Sequence, residues 1–150
     1  MTMVSRRGFL GGSVVGAAAV GSTKLAAKSQ VRLSVSGLRA GQMTNPMGIT
    51  DRAPSLSWKI TGSRRGIVQQ AYHVQVASSL AALKAGKADL WDSGRVSSAQ
   101  SIGVRYDGLP LASRQRVWWT VSIWDDTGAK ATATEDAYWE MALLDPADWT

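Results

Sequence analysis

Strict two-residue alternation over residues 117–124 constrains the fold of this chain more than any other feature of its sequence. Four apolar side chains share one face of this segment, and two indoles with two hydroxyl groups share the other: Val117, Trp119, Val121 and Ile123 against Trp118, Thr120, Ser122 and Trp124. Successive side chains of a β-strand point to opposite sides, so a period of two is the pattern of a strand with one face in a core. The segment therefore predicts a half-buried strand.

Shorter segments after residue 30 repeat this pattern. Alternation predicts strands at four further places: residues 31–35, 56–60, 72–76 and, more weakly, 131–141. Turn residues separate these segments, and only residues 79–86 have helical character, with Ser79 as candidate N-cap and Gly86 at the C-terminal end. The pattern predicts an all-β fold, an immunoglobulin or fibronectin type III-like antiparallel β-sandwich of about seven strands.

The N-terminus has the residue pattern of a twin-arginine export signal. Its motif consists of Ser5, Arg6, Arg7, Phe9 and Leu10. The weakly apolar run that follows, residues 9–20, is shorter than the roughly 20 apolar residues that cross a bilayer. We therefore predict a signal peptide over residues 1–27 that is the only membrane contact, with candidate cleavage sites at 19–21 and 25–27. The mature protein is then expected in the periplasm or outside the cell.

Much of the positive charge belongs to this export segment. Three of the 17 basic residues, Arg6, Arg7 and Lys24, precede residue 27; without them 14 remain against 11 acidic residues, and the net charge falls from +6 to +3. The remaining basic residues are scattered along the chain, which argues against a nucleic-acid partner. The chain has no cysteine, so its stability must come from an apolar core rather than from disulfides.

Six blocks of sequence stand in the order found in a known family. They are residues 45–49, 54–60, 70–79, 90–96, 119–125 and 139–144, and Asp148 and Trp149 follow the last block. Over about residues 31–150 this series resembles the N-terminal fibronectin type III-like module of bacterial alpha-L-rhamnosidases, glycoside hydrolase family 78. The resemblance implies a parent enzyme that removes terminal alpha-L-rhamnose from glycosides. It also implies that further β-sandwiches and an (α/α)6 barrel with the catalytic carboxylates follow this module.

The export motif and the resemblance together divide the chain into four parts: a signal peptide at 1–27, a leading strand and linker at 28–40, the β-sandwich at 41–144, and the start of a missing domain at 145–150. We expect a fragment or truncated product without the catalytic domain. Its expected partners are the downstream domains of the parent enzyme and rhamnose-containing glycans.

The residues themselves present no catalytic, cofactor-binding or metal-binding constellation. Four aspartates stand in turn segments, where aspartate forms local backbone hydrogen bonds: Asp92, Asp107, Asp125 and Asp126. Glu135 and Glu140 are predicted on the last strand, either solvated or paired with an arginine. His73 is the only histidine and has no cysteine or acidic cluster beside it. We therefore predict no cofactor, and no catalytic activity for this chain by itself.

Trp118 and Trp124 are the candidate contact residues for a partner. They flank Thr120 and Ser122 on one face, and either sugar rings or the next domain of the parent enzyme would cover such a surface. Trp58 and Trp119 are predicted in the core. Three hypotheses follow: an accessory module of an exported alpha-L-rhamnosidase, a free-standing carbohydrate-binding or adhesion module that uses the Trp118/Trp124 face, or a silent truncated product.

Overall fold

The computed structural model describes residues 32–149, which form ten strands and two short helices. The strands are β1 Leu33–Ala40, β2 Met47–Ile49, β3 Ser55–Gly62, β4 Gln69–Ala77, β5 Trp91–Asp92, β6 Val96–Ser97, β7 Val104–Arg105, β8 Arg116–Asp125, β9 Lys130–Thr132 and β10 Ala137–Met141. An α-helix, α1 Leu80–Lys84, follows β4, and a 3-10 helix spans Pro146–Trp149. The predicted signal peptide, residues 1–27, lies outside the described residues.

The strands form two sheets. The first sheet has the order β1-β3-β7, and the second has the order β2-β10-β8-β4-β5, with β6 beside β4 and β9 beside β8. Every pairing between these strands is antiparallel except that of β2 with β10, which is parallel. The antiparallel sandwich predicted from the alternation is therefore confirmed, with β8 as the central strand of the larger sheet.

Apolar side chains from both sheets fill the core. The inner face of β8, predicted from its alternation, is at most 1% exposed at each of its four residues: Val117, Trp119, Val121 and Ile123. Trp58, also predicted in the core, is 3% exposed. Edge-to-face contacts join Trp91 to Tyr106, Tyr106 to Trp139, and Trp139 to Trp119, with ring centroids 5.6, 5.6 and 6.4 Å apart. Such pairs add to the free energy of burial.

The sandwich begins before residue 41, where the sequence placed its start. Strand β1 pairs with β3 from Leu33 to Ala40 and is thus part of the first sheet rather than a leading segment. The pairing shifts register between Ser36 and Arg39, and Gly37 within this bulge has a φ of 63°. A bulge leaves a local gap in the ladder of hydrogen bonds.

Glu135 fills this gap, which corrects the prediction that it is solvated or paired with an arginine on the last strand. Its carboxylate accepts hydrogen bonds from the backbone N–H groups of Gly37 at 2.6 Å and Leu38 at 3.4 Å. The predicted strand at 131–141 is in fact two strands, β9 and β10, because residues 133–136 leave the sheet between them. Glu135 in this connection thereby links the two sheets.

The strand count exceeds the predicted seven because five of the strands in the described region have only two or three residues: β2, β5, β6, β7 and β9. Segments this short do not show a period. The predicted helix is present, and Ser79 caps it by accepting a hydrogen bond from the N–H of Ala82 at 3.1 Å.

Candidate functional site

The outer face of the second sheet carries both predicted contact tryptophans. Trp118, Thr120 and Trp124 are half-buried on the side of β8 that faces away from the core, and Ser122 lies between them in the same row. Six residues separate the two indoles along an extended strand, which corresponds to roughly 20 Å. The structure therefore places Trp118 and Trp124 on one face but at opposite ends of it, in different surroundings.

Trp118 lies at the end of the sheet where the chain leaves the sandwich. Its ring contacts that of Tyr138 with centroids 5.0 Å apart, and the guanidinium of Arg116 lies 4.4 Å from the Tyr138 centroid. Arg116 also forms a 3.1 Å ion pair with Glu140, so its charge is neutralised. The Trp118 indole thus packs against its own sheet, and only part of its surface is exposed to a partner.

A hydrogen-bonded clasp fixes the path of the chain beside this end. The backbone N–H of Leu144 donates to the Ser113 hydroxyl oxygen at 2.8 Å, and the same hydroxyl donates to the carboxylate of Asp148. Hydrogen bonds from the Ser113 hydroxyl and from the N–H of Asp145 lower the pKa of Asp148 and keep its carboxylate ionised. The 3-10 helix is held in this way, while the indole of Trp149 at its end is 72% exposed.

Trp124 has two cations on its ring. The guanidinium carbon of Arg95 lies 4.4 Å from the centroid of the Trp124 ring, and the ammonium nitrogen of Lys130 lies 5.2 Å from it. Lys130 is directly opposite Trp124 in the β8–β9 pairing, and Arg95 precedes β6 on the β4 side. Cations are attracted to the negative face of an indole, so these contacts hold both side chains beside the ring.

Polar side chains cover the surface between the two tryptophans. Ser122 and Thr132 share a hydrogen bond of 2.7 Å between their hydroxyl oxygens, and Thr120 donates to the Ala133 carbonyl at 3.3 Å. His73, next to Ser122 on β4, lies 2.5 Å from a carboxylate oxygen of Asp92. Hydroxyl, imidazole and carboxylate groups with remaining donor and acceptor capacity are suited to sugar hydroxyls.

The pKa of Asp92 reflects its role in the turn between β5 and β6. Partial burial raises the pKa of this carboxyl, but hydrogen bonds from the Gly94 N–H and His73, with the charge of His73, outweigh burial and lower it. Asp92 is therefore ionised at neutral pH and serves as the turn residue that the sequence predicts. Its engagement with His73 and Gly94 removes it as a partner for Arg95.

A cavity of about 400 Å3 opens on this face between the tryptophans. Its lining comes from the sheet, from α1 and from the connection between β9 and β10: Gln75, Thr120 and Thr132, then Leu80, Leu83 and Lys84, then Ala133, Thr134, Glu135 and Asp136. An ion pair of 3.1 Å joins Lys84 to Asp136 across its lining. The volume lies within the range of pockets that hold small ligands.

All carboxylates of the described region except that of Asp107 are engaged in hydrogen bonds or ion pairs. Asp125, 1% exposed, accepts hydrogen bonds from the backbone N–H groups of Thr127 at 2.9 Å and Ala129 at 3.0 Å. Asp51 pairs with Arg105 at 3.2 Å, and Asp126 pairs with Arg64. Within residues 32–149 no group of three histidine or acidic side chains is placed to hold a metal ion. None of the helices in that region is long and apolar enough to span a membrane.

Sequence reasoning missed the cations on Trp124 and the cavity. The signal for Lys130 is in the sequence: Trp124 and Lys130 flank the turn at 125–129 and therefore face each other across a hairpin. No comparable signal exists for Arg95 or for the cavity. Their positions depend on how β6 and α1 lie beside β4, which no local pattern encodes.

The two-sheet architecture and this outer face define an immunoglobulin-like β-sandwich, a class of module that presents binding surfaces on a rigid scaffold. Residues 35–145 match the family described as the Rha78A-like, N-terminal immunoglobulin domain. The chain belongs to this family.

Several alpha-L-rhamnosidases are similar to the chain over a small part of their length. One from Formosa agariphila is 36% identical over 128 residues, which cover 85% of this chain and 13% of that protein. One from Streptomyces avermitilis is 39% identical over 105 residues, which cover 70% of this chain and 10% of that protein. The chain thus spans about a tenth of the length of these relatives.

Solved structures have the same fold in the matching region. The alpha-L-rhamnosidase from Dictyoglumus thermophilum superposes with a TM-score of 0.75 at 29% identity, over 78% of this chain and 13% of that one. The Streptomyces avermitilis alpha-L-rhamnosidase complexed with L-rhamnose superposes with a TM-score of 0.74 at 36% identity, over 79% of this chain and 11% of that one.

Proposed function

We propose that this chain serves as the non-catalytic N-terminal module of an exported alpha-L-rhamnosidase. The observation that carries the proposal is the family match over residues 35–145, in a region that makes up only 10–13% of the related enzymes. The engagement of every carboxylate in residues 32–149 except Asp107 supports it, because glycoside hydrolysis needs two carboxyl groups facing a common substrate. In this role the module braces the enzyme and supports the presentation of substrate.

The Trp118 end of the outer face is the surface proposed to contact the downstream domains. Trp118 and Tyr138 form an aromatic pair beside the point at which the Ser113–Asp148 clasp directs the chain away from the sandwich. The exposed Trp149 follows directly. Interfaces are enriched in partly exposed aromatic residues of this kind.

Two experiments test the proposal. Sequencing downstream of codon 150 should reveal an open frame for several hundred further residues that include an (α/α)6 barrel; a stop codon there contradicts the enzyme assignment. The purified chain should not hydrolyse an aryl alpha-L-rhamnoside, whereas the full-length protein should. Turnover by the chain alone above the buffer background would show that carboxylates of this module are catalytic.

Export by the twin-arginine route is part of this proposal and rests on Ser5, Arg6, Arg7, Phe9 and Leu10. Residues 1–40 fused to a reporter that folds in the cytoplasm should carry it to the periplasm. The Arg6→Lys/Arg7→Lys double variant should leave it in the cytoplasm, because the route reads the arginine pair. Equal export of both fusions would exclude this route.

A glycan-binding role of the outer face is the second candidate, favoured by the cavity of about 400 Å3 between the tryptophans. L-rhamnose titrated against the tryptophan fluorescence of the chain tests the simplest form of it. Absence of any change at millimolar sugar would exclude a rhamnose site near either indole.

A further inference from the structure

Arg95 and Lys130 form a cation pair that lacks a carboxylate partner. Five other cations of the described region are paired with acids: Arg52 with Asp145, Arg64 with Asp126, Lys84 with Asp136, Arg105 with Asp51 and Arg116 with Glu140. Further exposed cations, such as Arg39 and Lys59, form no ion pair within residues 32–149, but only Arg95 and Lys130 are unpaired and share one aromatic ring in that region. Arg95 and Lys130 are both exposed, and within residues 32–149 neither forms an ion pair; both contact the Trp124 ring instead. An indole holds cations in place without neutralising them.

The pair is prearranged to accept an anion. Guanidinium and ammonium groups carry several N–H donors, and in the described part of the chain those of Arg95 and Lys130 meet no acceptor. Contact with one ring restricts both side chains before a ligand arrives, so less rotamer entropy is lost on binding. Two held cations on a single indole therefore favour a carboxylate or a sulfate group.

The cation pair is continuous with the cavity. Lys130 and Thr132 point to the same side of β9, since they lie opposite Trp124 and Ser122 of β8. Thr132 also lines the cavity, together with Gln75 and Thr120. An oligosaccharide with a charged sugar at Trp124 would thus place its neighbouring sugar over hydroxyl and amide groups that can form hydrogen bonds with sugar hydroxyls.

We propose that this surface binds an anionic glycan. Arg95 and Lys130 contact the carboxylate or sulfate of one sugar unit at Trp124, and the neighbouring unit lies toward the cavity above Thr132. The inference deepens the glycan-binding role given above as the second candidate and rests on it. A nucleic acid fits less well, because the two cations already occupy the ring of Trp124 on which a base would stack.

Calorimetric titration of the full chain with three probes tests this site. The probes are tetragalacturonic acid, its methyl ester, which removes only the charge, and a sulfated dextran oligosaccharide of similar length. We expect the acid to bind at least about tenfold more tightly than the ester at low salt. The difference should shrink in roughly 0.5 M NaCl because salt screens exposed charges. Comparison of the acid with the sulfated probe shows which anionic group the site prefers.

A matched pair of double variants locates the binding. Arg95→Gln/Lys130→Gln should weaken binding of the acid by about tenfold. The control Arg39→Gln/Lys59→Gln removes one arginine and one lysine from exposed positions of the first sheet. It should change the affinity for the acid by less than about twofold. Both variants remove only exposed charges, so folding is preserved.

The outcomes distinguish failure of the anionic site from failure of the general glycan-binding role. If the acid binds no better than the ester, or both double variants weaken it equally, the anionic site is wrong while a glycan-binding role remains. If none of the three probes binds, the anionic site is wrong, and the L-rhamnose titration described above decides whether the glycan-binding role fails as well.

Discussion

Replacing Asp125 should destabilise the fold more than replacing any exposed acid of the same turn. Its buried carboxylate accepts hydrogen bonds from the N–H of Thr127, the hydroxyl of Thr127 at 2.6 Å and the N–H of Ala129. Arg64 lies 3.5 Å from its second oxygen. Hydrogen bonds to a charged group contribute about 1.5–3 kcal/mol each but are not additive within one network. We expect Asp125→Ala to lower the free energy of unfolding by about 3 kcal/mol.

Urea unfolding followed by tryptophan fluorescence measures this loss. With a denaturant slope of about 2 kcal/mol/M, a loss of 3 kcal/mol moves the midpoint down by about 1.5 M. Asp126→Ala is the matched control, because Asp126 is the neighbouring residue, is 39% exposed at its side chain and pairs with the same Arg64. An exposed ion pair contributes at most about 1 kcal/mol, so the control midpoint should move by less than about 0.5 M.

The pH dependence provides a second check on the same carboxylate. Burial raises the pKa of Asp125, but the hydrogen bonds from Thr127 and Ala129 and the charge of Arg64 outweigh burial, and the pKa is lowered. A lowered pKa in the folded state gives stability that is present above the unfolded pKa of about 3.9 and is lost as the pH falls through the folded value. The gap between wild type and Asp125→Ala should therefore narrow below about pH 4. A gap that is constant with pH, or midpoints of the two variants that coincide, would refute this account.

Two further predictions concern the link between the sheets and a buried hydroxyl. Glu135→Ala removes the acceptor for the Gly37 and Leu38 N–H groups and should lower the free energy of unfolding in urea by about 2 kcal/mol. The control Asp136→Ala breaks an exposed ion pair and should lower it by less than about 1 kcal/mol. Equal losses in the two variants would contradict the link between the sheets. Tyr106 donates its hydroxyl to the Leu109 carbonyl at 2.5 Å, so Tyr106→Phe should cost about 1 kcal/mol. Burial, with a smaller effect of Asp89, raises the pKa of Tyr106 to about 12, so folding stability should fall as the pH rises from about 10 toward that value, and less steeply in Tyr106→Phe.

Sequence alone predicts the long strands because each has one buried and one open face. β3, β4 and β8 contain the predicted segments 56–60, 72–76 and 117–124, where burial alternates along the strand except at Ser122, which is buried on the outer face of β8. Strands such as β5 and β7 have two residues each and cannot display a period. Whether a strand can be predicted from the sequence therefore depends on its length rather than on the chemistry of its residues.

Long-range contacts explain the remaining differences. The position of Glu135 depends on a bulge at Gly37, a partner 98 residues earlier in the chain. A weak two-residue alternation on both sides of Glu135 predicts one strand over 131–141, where the structure has two. Likewise, the alternation of β8 predicts that Trp118 and Trp124 share a face. It does not predict their different neighbours, which are Tyr138 of β10 for Trp118, and Arg95 just before β6 and Lys130 of β9 for Trp124.

Because β2 pairs only with β10 in the described region, the second sheet cannot be completed until the last strand of the domain has been synthesised. The Glu140 N–H donates to the Pro46 carbonyl at 3.0 Å, and the Ala142 N–H donates to the Ile49 carbonyl at 2.8 Å. Until residues 137–141 have left the ribosome, β8 lacks its neighbour and β2 has no sheet to join. Translation at about 5–20 residues per second needs roughly one to three seconds to pass from the end of β8 to the end of β10. The nascent chain must therefore protect an open, tryptophan-rich edge for a time comparable with the folding time of a β-sandwich.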